Sequence, residues 1–381
     1  MSQPNFRPVT YRDRTYQLPA AGLGGTTAEP LLRPADRLLF DWAYTEAGAE
    51  ELPAVAIYND AQATLGTCVR AQKVQFVSDD YRHHARLLAN YERNDLGSAP
   101  KNGSPLTPGT AAALNLLHVP KSLELYELYL RHVAATAGPE TKLAAAFMTR
   151  NFTPRLLEIA AKYGATVEQS RAFKKARLLV VRDFKADEAE EMAINEMTYD
   201  GVTYQQYPGV FSAGHVDYAT QFLLDQWSAN PHLAELPAPA TILDVGCGNG
   251  IIGDHLLGRY PDARLTAYDV SQLAVASTHM NLDRHGYTDR ATVLTAASLT
   301  EITEPAAFDL IVTNPPFHEG HRTDISVSTN LFLEASERLS PTGHLVVVAN
   351  RHLNYLTHLR RYFDEVIVVG ETEKFVVYRS C

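Results

Sequence analysis

Cysteine is scarce in this chain: three in 381 residues, Cys68, Cys247 and Cys381, far apart and with no Cys-x-x-Cys spacing. That excludes a disulfide framework and the usual cysteine zinc sites, and it points to a reducing, cytoplasmic compartment. Long apolar runs are absent as well. No stretch reaches the roughly eighteen apolar residues that a spanning helix needs, so no membrane partner is expected. The opening residues, MSQPNFRPVTYRDR, lack the apolar core of a secretory signal. Positive charge is in deficit, with 34 Lys and Arg against 44 Asp and Glu. The deficit is uneven. Residues 1–200 carry 23 basic against 24 acidic side chains, and residues 201–381 carry 11 against 20. A polyanion would therefore be repelled by the second half. It could dock on the first, where Arg171-Ala-Phe-Lys174-Lys175-Ala-Arg177 forms a basic run, although such a run is more often a solvated face.

The composition that remains, 45% hydrophobic and 20% charged, is that of a globular protein, and the length favours two domains. Residues 183–200 are acidic and without apolar period, which predicts a linker. Beyond it, short apolar runs alternate with amphipathic ones. Strands are expected at 241–245, 264–268, 308–313 and 344–349, and helices at 251–260, 273–285 and 331–339. Two close strands, 365–369 and 375–378, would close the chain as an antiparallel hairpin. This is an α/β pattern with a mostly parallel sheet covered on both faces. The first half repeats the order less clearly, with strands at 54–58, 74–78, 114–119, 143–148 and 176–182 and helices at 81–91 and 123–133. Its punctuation matches too: Pro120 answers Pro315, and Lys175 answers Lys374. A duplication is the expectation.

Three motifs of the second half carry chemistry. Asp244-Val-Gly246-Cys-Gly248-Asn-Gly250 stands between a predicted strand and a predicted helix. Glycines there let a ligand approach the backbone, and the spacing differs from the dinucleotide fingerprint. Asp269 ends the next strand, where a carboxylate can accept both hydroxyls of a ribose; taken alone it would more often be a helix N-cap. Asn314-Pro315-Pro316-Phe317 follows the strand at 308–313. An amide oxygen and a rigidly placed proline carbonyl can accept the two hydrogens of a planar amine, with Phe317 stacked on its ring. The plainer reading is a proline-rich loop. Cys247 reads as a small packing residue, since nothing nearby in sequence supplies a base. His318 and His321 lack a third ligand, so no metal is expected. The helix at 81–91 reads as a solvated surface in preference to an RNA-facing one.

On these residues the chain resembles the rRNA guanine-N2-methyltransferase family that joins the small-subunit type C and large-subunit type G enzymes. The resemblance rests on GVFSAGHVDYATQFLL (209–224), LDVGCGNGIIG (243–253), AVAS (274–277), NPPFH (314–318), VVANRHLNY (347–355), KFVV (374–377) and, in the first half, FKKARL (173–178). It covers essentially the full length and is closest to the large-subunit type. It implies two tandem Rossmann-like methyltransferase domains with seven-stranded sheets: a degenerate one at 1–185, a linker at 186–205 and a catalytic one at 206–381. It further implies S-adenosyl-L-methionine as methyl donor, with Asp244, Gly246, Gly248 and Gly250 on the methionine part. Asp269 would hold the ribose, Ala297 and Ser298 would border the adenine, and Phe211 would close the site. Asn314, Pro315 and Phe317 would hold the target guanine, in 23S rather than 16S rRNA, and the chain is expected to be a monomer. In the first half Tyr58-Asn-Asp60-Ala-Gln-Ala63 stands where the glycine loop would be, and Val119-Pro120-Lys121-Ser122 where Asn-Pro-Pro-Phe would be. RNA docking through Lys174, Lys175 and Arg177, or structural support, is what remains for that half. Other readings are a 16S guanine-N2 enzyme, a protein glutamine-N5 methyltransferase, whose Asn-Pro-Pro is usually followed by Tyr, and a non-enzymatic RNA-binding protein.

Overall fold

The computed structural model describes residues 6–20, 32–107, 109–185, 192–315 and 325–381, the side chains of 325–327 excepted. The chain divides into two compact units, Met1–Met192 and Ala193–Cys381.

In the first unit a hairpin of β1 (Phe6–Tyr11) and β2 (Arg14–Pro19) precedes α1 (Pro34–Ala47). Then follow β3 (Leu52–Tyr58), α2 (Thr64–Cys68), β4 (Ala71–Val77), α3 (Tyr81–Arg93), the short β5 (Asn102–Gly103) and β6 (Leu114–His118). The unit ends with α4 (Leu123–Ala135), β7 (Lys142–Met148), α5 (Pro154–Tyr163), β8 (Gly164–Gln169) and β9 (Ala176–Phe184). The second unit opens on a hairpin, β10 (Asn195–Tyr199) and β11 (Val202–Gln206), then α6 (Tyr218–Ala229) and α7 (Pro231–Ala234). It continues through β12 (Thr241–Val245), α8 (Ile251–Arg259), β13 (Arg264–Asp269), α9 (Gln272–Arg284), β14 (Ala291–Thr295) and β15 (Phe308–Thr313). Last come α10 (Ile325–Arg338), β16 (Leu339–Asn350), α11 (Tyr355–Leu359), β17 (Val366–Glu371) and β18 (Phe375–Ser380).

The two seven-stranded sheets share one topology. Their strand orders are β5-β4-β3-β6-β7-β9-β8 and β14-β13-β12-β15-β16-β18-β17. In each, six strands share one direction and only the next-to-last in the order, β9 or β18, runs against them. One backbone bond repeats as well: Thr149 N–H donates to Lys175 O at 2.8 Å, and Arg351 N–H donates to Lys374 O at 2.8 Å. The duplication read from punctuation is thus carried by topology.

Side chains alternate along the central strands because both faces are covered, as parallel sheets require. Ile242, Leu310, Val312, Val346 and Val348 face a core filled from α6 and α8 by Leu223, Leu224, Trp227, Leu256 and Leu257. Leu243, Val245, Leu345 and Val347 face the other, filled from α10 and α11 by Phe332, Ala335, Tyr355 and Leu359. The strands consequently end together at one edge, where β12, β13 and β15 give way to the motif loops.

The second half of the expected linker is structured. Residues 195–206 form the β10–β11 hairpin, and Met197 and Tyr204 are buried in the core of the second unit. Apolar residues there are too few to show a period, but two of them anchor it. The helix expected at 331–339 begins at Ile325 and ends at Arg338, while Leu339 opens a strand that runs to Asn350. The helix α3, read as a solvated surface, uses its basic residues internally: His83 shares a 2.6 Å hydrogen bond with Ser78, and Arg86 donates to the Ala61 carbonyl.

Candidate active site

Asp244 is the fourth residue of β12 and fully buried. Its Oδ2 accepts from Gly253 N–H at 3.0 Å, while Oδ1 is sealed from solvent with no hydrogen-bond partner. Burial, aided by the negative charge of Asp269 and opposed by the Gly253 N–H, pushes its carboxyl up to about 7. The next residues leave the sheet in a loop pinned to β13, since Gly246 N–H and Cys247 N–H both donate to Tyr268 O at 2.9 and 3.1 Å.

Gly246, Gly248 and Gly250 all have positive φ, +70°, +58° and +83°. A Cβ at Gly246 or Gly248 would meet nothing within 4 Å, so the loop is bare on its ligand side. A Cβ at Gly250 would come 2.9 Å from Thr278 Cγ2 in α9, so glycine is needed there for packing too. Cys247 is buried and accepts from Thr278 Oγ1 at 3.3 Å, with burial driving its thiol well above its ordinary range, as fits a packing residue.

Asp269 ends β13 beside this loop. Its Oδ2 accepts from Gly248 N–H at 3.0 Å and its Oδ1 from Ser271 N–H at 2.9 Å. The N-cap of α9 is Ser271, whose side chain accepts from Ala274 N–H, so Asp269 does not cap that helix. Beyond β14, Ala296 N–H donates to Asp269 O at 3.1 Å, and the exposed Ala297 offers its N–H to Glu301 Oε1 at 3.3 Å. Ser298 pairs with Thr300 at 2.6 Å. Phe211 is 72% exposed.

At the end of β15, Thr313 Oγ1 donates to Val245 O at 2.8 Å, which locks this strand end to that of β12. Asn314 follows, half-buried, then the buried Pro315; Pro316, Phe317, His318 and His321 lie outside the described residues. The Asn314 amide donates twice, to Asp217 Oδ2 and Thr220 Oγ1, both at 2.9 Å. Its Oδ1 is buried with no partner. The structure thus brings Asp244, the three glycines, Asp269 and Asn314 to one sheet edge.

Several contributors escape a reading of motifs. Asp217 and Thr220 stand within the family-like segment 209–224, where a helix N-cap pattern was the only available signal. Gln206, Asn249 and Asn281 form a buried amide network: Asn249 Nδ2 donates to Gln206 Oε1 at 3.1 Å, and Asn281 Nδ2 to Asn249 O at 2.8 Å. It ties the glycine loop to the hairpin and to α9, and no spacing in the sequence announces it.

In the first unit the equivalent edge is filled by side chains. Asp60, fully buried after β3, accepts from Gly66 N–H at 3.0 Å. Asp36 takes a bidentate pair from Arg33 at 2.8 and 2.9 Å and lies 2.9 Å from His118 Nε2. Asp36, Asp60 and His118 converge within 4.8 Å as metal ligands would, but the Arg33 guanidinium, 3.9 Å from Asp60, already supplies the cation. Lys174 and Lys175, φ +44° and +67°, make the exposed two-residue turn between β8 and β9, closed by the Phe173–Ala176 bridge. Arg177 is half-buried in β9, and its Nε is buried without a partner.

Parallel sheets of this order, one with a bare glycine loop after its first strand and Asn-Pro after its fourth, define a methyltransferase-class protein with one equipped unit and one filled one. Family models agree with that division: RLMG N-terminal domain matches residues 32–186, and Methyltransferase small domain matches 201–379. The ribosomal RNA large subunit methyltransferase G of Klebsiella pneumoniae (strain ATCC 700721 / MGH 78578) is 31% identical over 334 residues, 85% of this chain and 86% of the relative. That of Pectobacterium atrosepticum is 29% identical, covering 85% of each. Among solved structures, a T. thermophilus 16S rRNA N2 methyltransferase (RsmC), in complex with AdoMet and guanosine, has a TM-score of 0.77 at 22% identity. The match covers 99% of this chain and 97% of that one, and bears on the fold alone. The chain belongs to the ribosomal RNA large subunit methyltransferase G family.

Proposed function

We propose that this chain transfers the methyl group of S-adenosyl-L-methionine to the exocyclic N2 of a guanine in 23S rRNA, with residues 206–381 as the catalytic part. The observation that carries the reading is Asn314: a buried amide oxygen without a partner, at the edge where the glycine loop ends, is an acceptor waiting for a donor. The donor set also fits the cofactor. The bare loop at Gly246 and Gly248 admits a ligand against the backbone, and the unpartnered Asp244 Oδ1 suits a positively charged group. Asp269 would hold the ribose, with Ala297 and Ser298 bordering the adenine and Phe211, exposed in the free chain, closing over it.

When bound, S-adenosyl-L-methionine supplies an electrophilic methyl on a positively charged sulfur. Asn314 Oδ1 would accept one hydrogen of the guanine amine and the Pro315 carbonyl the other, so that the nitrogen lone pair is presented rather than delocalised into the ring. Phe317 would stack on the base.

RNA affinity must come from elsewhere than the acidic second half. Lys174 and Lys175, exposed on their turn, would contact phosphates beside the exposed Arg150, and Arg177 would add less because β9 half-buries it. Residues 1–185 are thus read as an RNA-docking relic of a methyltransferase domain. The test is a comparison of 23S and 16S rRNA nucleosides, by mass spectrometry, between a strain lacking this protein and its parent. Loss of one N2-methylguanine from 23S rRNA is expected. An unchanged 23S pattern overturns the target assignment, and loss from 16S rRNA instead establishes the small-subunit alternative.

A further inference from the structure

Asn314 is held from behind. Asp217 is the N-cap of α6, and its Oδ2 accepts from Ala219 N–H at 3.0 Å, Thr220 N–H at 3.1 Å and Asn314 Nδ2 at 2.9 Å. Thr220, 6% exposed one turn into the same helix, accepts from the same Nδ2 at 2.9 Å. Both hydrogens of the Asn314 amide are therefore engaged, and only its buried, unpartnered oxygen is left over.

We propose that Asp217 and Thr220 form an amide clamp that decides which end of Asn314 faces the reacting amine, and so act as positioning residues for methyl transfer. The proposal rests on the reading of Asn314 as the acceptor for that amine. The chemistry of the clamp is one-sided. A carboxylate has no hydrogen to donate, so the end of the amide turned toward Asp217 must be the NH2, and the oxygen must point the other way. Turned over, the amide would set its oxygen against a carboxylate oxygen and offer two N–H donors to a substrate amine that is itself a donor. No bond would form, and the lone pair would lie unheld. An unclamped asparagine has little to choose between the two states, since they differ by exchange of nearly isosteric atoms. The clamp also borrows rigidity from the fold, because two backbone N–H groups of α6 fix the Asp217 carboxylate before Asn314 arrives.

The test uses the full chain and unmodified rRNA from a strain lacking the protein, supplied protein-free and as assembled subunits, whichever the wild type methylates. The double variant Asp217→Ser with Thr220→Val removes the Thr220 acceptor and replaces the Asp217 carboxylate with a shorter hydroxyl, whose oxygen serves the helix cap, and it keeps the β-branched shape at 220. Its kcat should fall about 10²-fold, with calorimetric affinity for S-adenosyl-L-methionine and the thermal midpoint close to wild type. Asp217→Asn, which retains an oxygen for the three donors, and Thr220→Ser should each keep most of the rate. If the double variant unfolds, Thr220→Val alone carries the test: kcat should fall several-fold and return in Thr220→Ser. Near wild-type kcat in the double variant, while Asn314→Ala is inactive, overturns the clamp and leaves the Asn314 reading standing. A fully active Asn314→Ala overturns that reading and the clamp with it.

Discussion

Asp244 and Asp269 are carboxylates at the ends of neighbouring strands, and their surroundings ask different things of them. Asp244 has one oxygen on Gly253 N–H and one on nothing, in a position closed to water. Its carboxyl rises from an ordinary 3.8 to about 7, so ionisation opposes folding of the free chain. That penalty is absent below the unfolded value, grows as pH rises between the two, and is complete above about 7. Asp244→Asn should therefore raise the thermal midpoint of the ligand-free protein at pH 8 and leave it nearly unchanged at pH 4. Equal midpoint shifts at the two pH values, read by scanning calorimetry, would contradict the assignment. A bound cation favours the ionised form, so affinity for S-adenosyl-L-methionine should climb as pH passes through this range. Asp269 instead holds two backbone N–H groups. Asp269→Ala should weaken the cofactor by about 1.5–3 kcal/mol, the loss of a charged hydrogen bond. Titration calorimetry with unchanged affinity would remove it from the site.

Strands with continuous apolar runs were legible in the sequence, because both of their faces are buried. Thr241–Val245 and Phe308–Thr313 fall where expected, and so do the glycine loop and Asn314 between their ends. Elements with one wet face were harder to read. β14 buries only Val293, and β10 only Met197, so neither presents a run. Helix α5 passes into β8 without an intervening residue, Tyr163 to Gly164, which blurs both periods. The polar parts of the site were the least legible of all: Asp217, Gln206 and Asn281 act through hydrogen bonds between residues far apart in sequence, and composition leaves no trace of that. The β10–β11 hairpin supplies a test at this scale. Asn281 Oδ1 accepts from Gln205 N–H at 2.8 Å, and its Nδ2 donates to Gln205 O at 2.7 Å and to Asn249 O at 2.8 Å. Asn281→Ala strands buried backbone groups and should cost about 1–3 kcal/mol of stability in denaturant titration. Amide exchange should quicken in 195–206 and in the glycine loop together. Quickening in the hairpin alone would mean that the loop is held without it.

For the molecule as a whole, the division of charge and the division of equipment run together. The second unit keeps the loop, the carboxylates and the amide but belongs to the acidic half, whereas the first belongs to the nearly neutral half and fills its strand ends with the Arg33–Asp36–His118 network. That network is buried at the strand ends, whereas the turn at Lys174 and Lys175 is exposed. Among the described residues Lys174 and Lys175 make no ion pair; both are exposed on their positive-φ turn, with the Lys174 ammonium 5.7 Å from the centre of the Phe173 ring. Arg177 differs: it sits in β9 opposite Phe147, half-buried, so its contribution is to packing before it is to charge. The three residues should therefore separate under mutation. Lys174→Ala with Lys175→Ala should weaken RNA binding and lower its salt slope by about 0.7 per lost contact on single strands, with melting temperature and cofactor affinity unchanged. Arg177→Ala should lower the melting temperature and leave the slope nearly as it was. Fluorescence anisotropy of a labelled rRNA fragment across a salt series distinguishes the two. A lysine pair that leaves the slope unaltered would strip the first unit of its docking role, and a slope that falls only with Arg177 would move the contact from the turn to the strand.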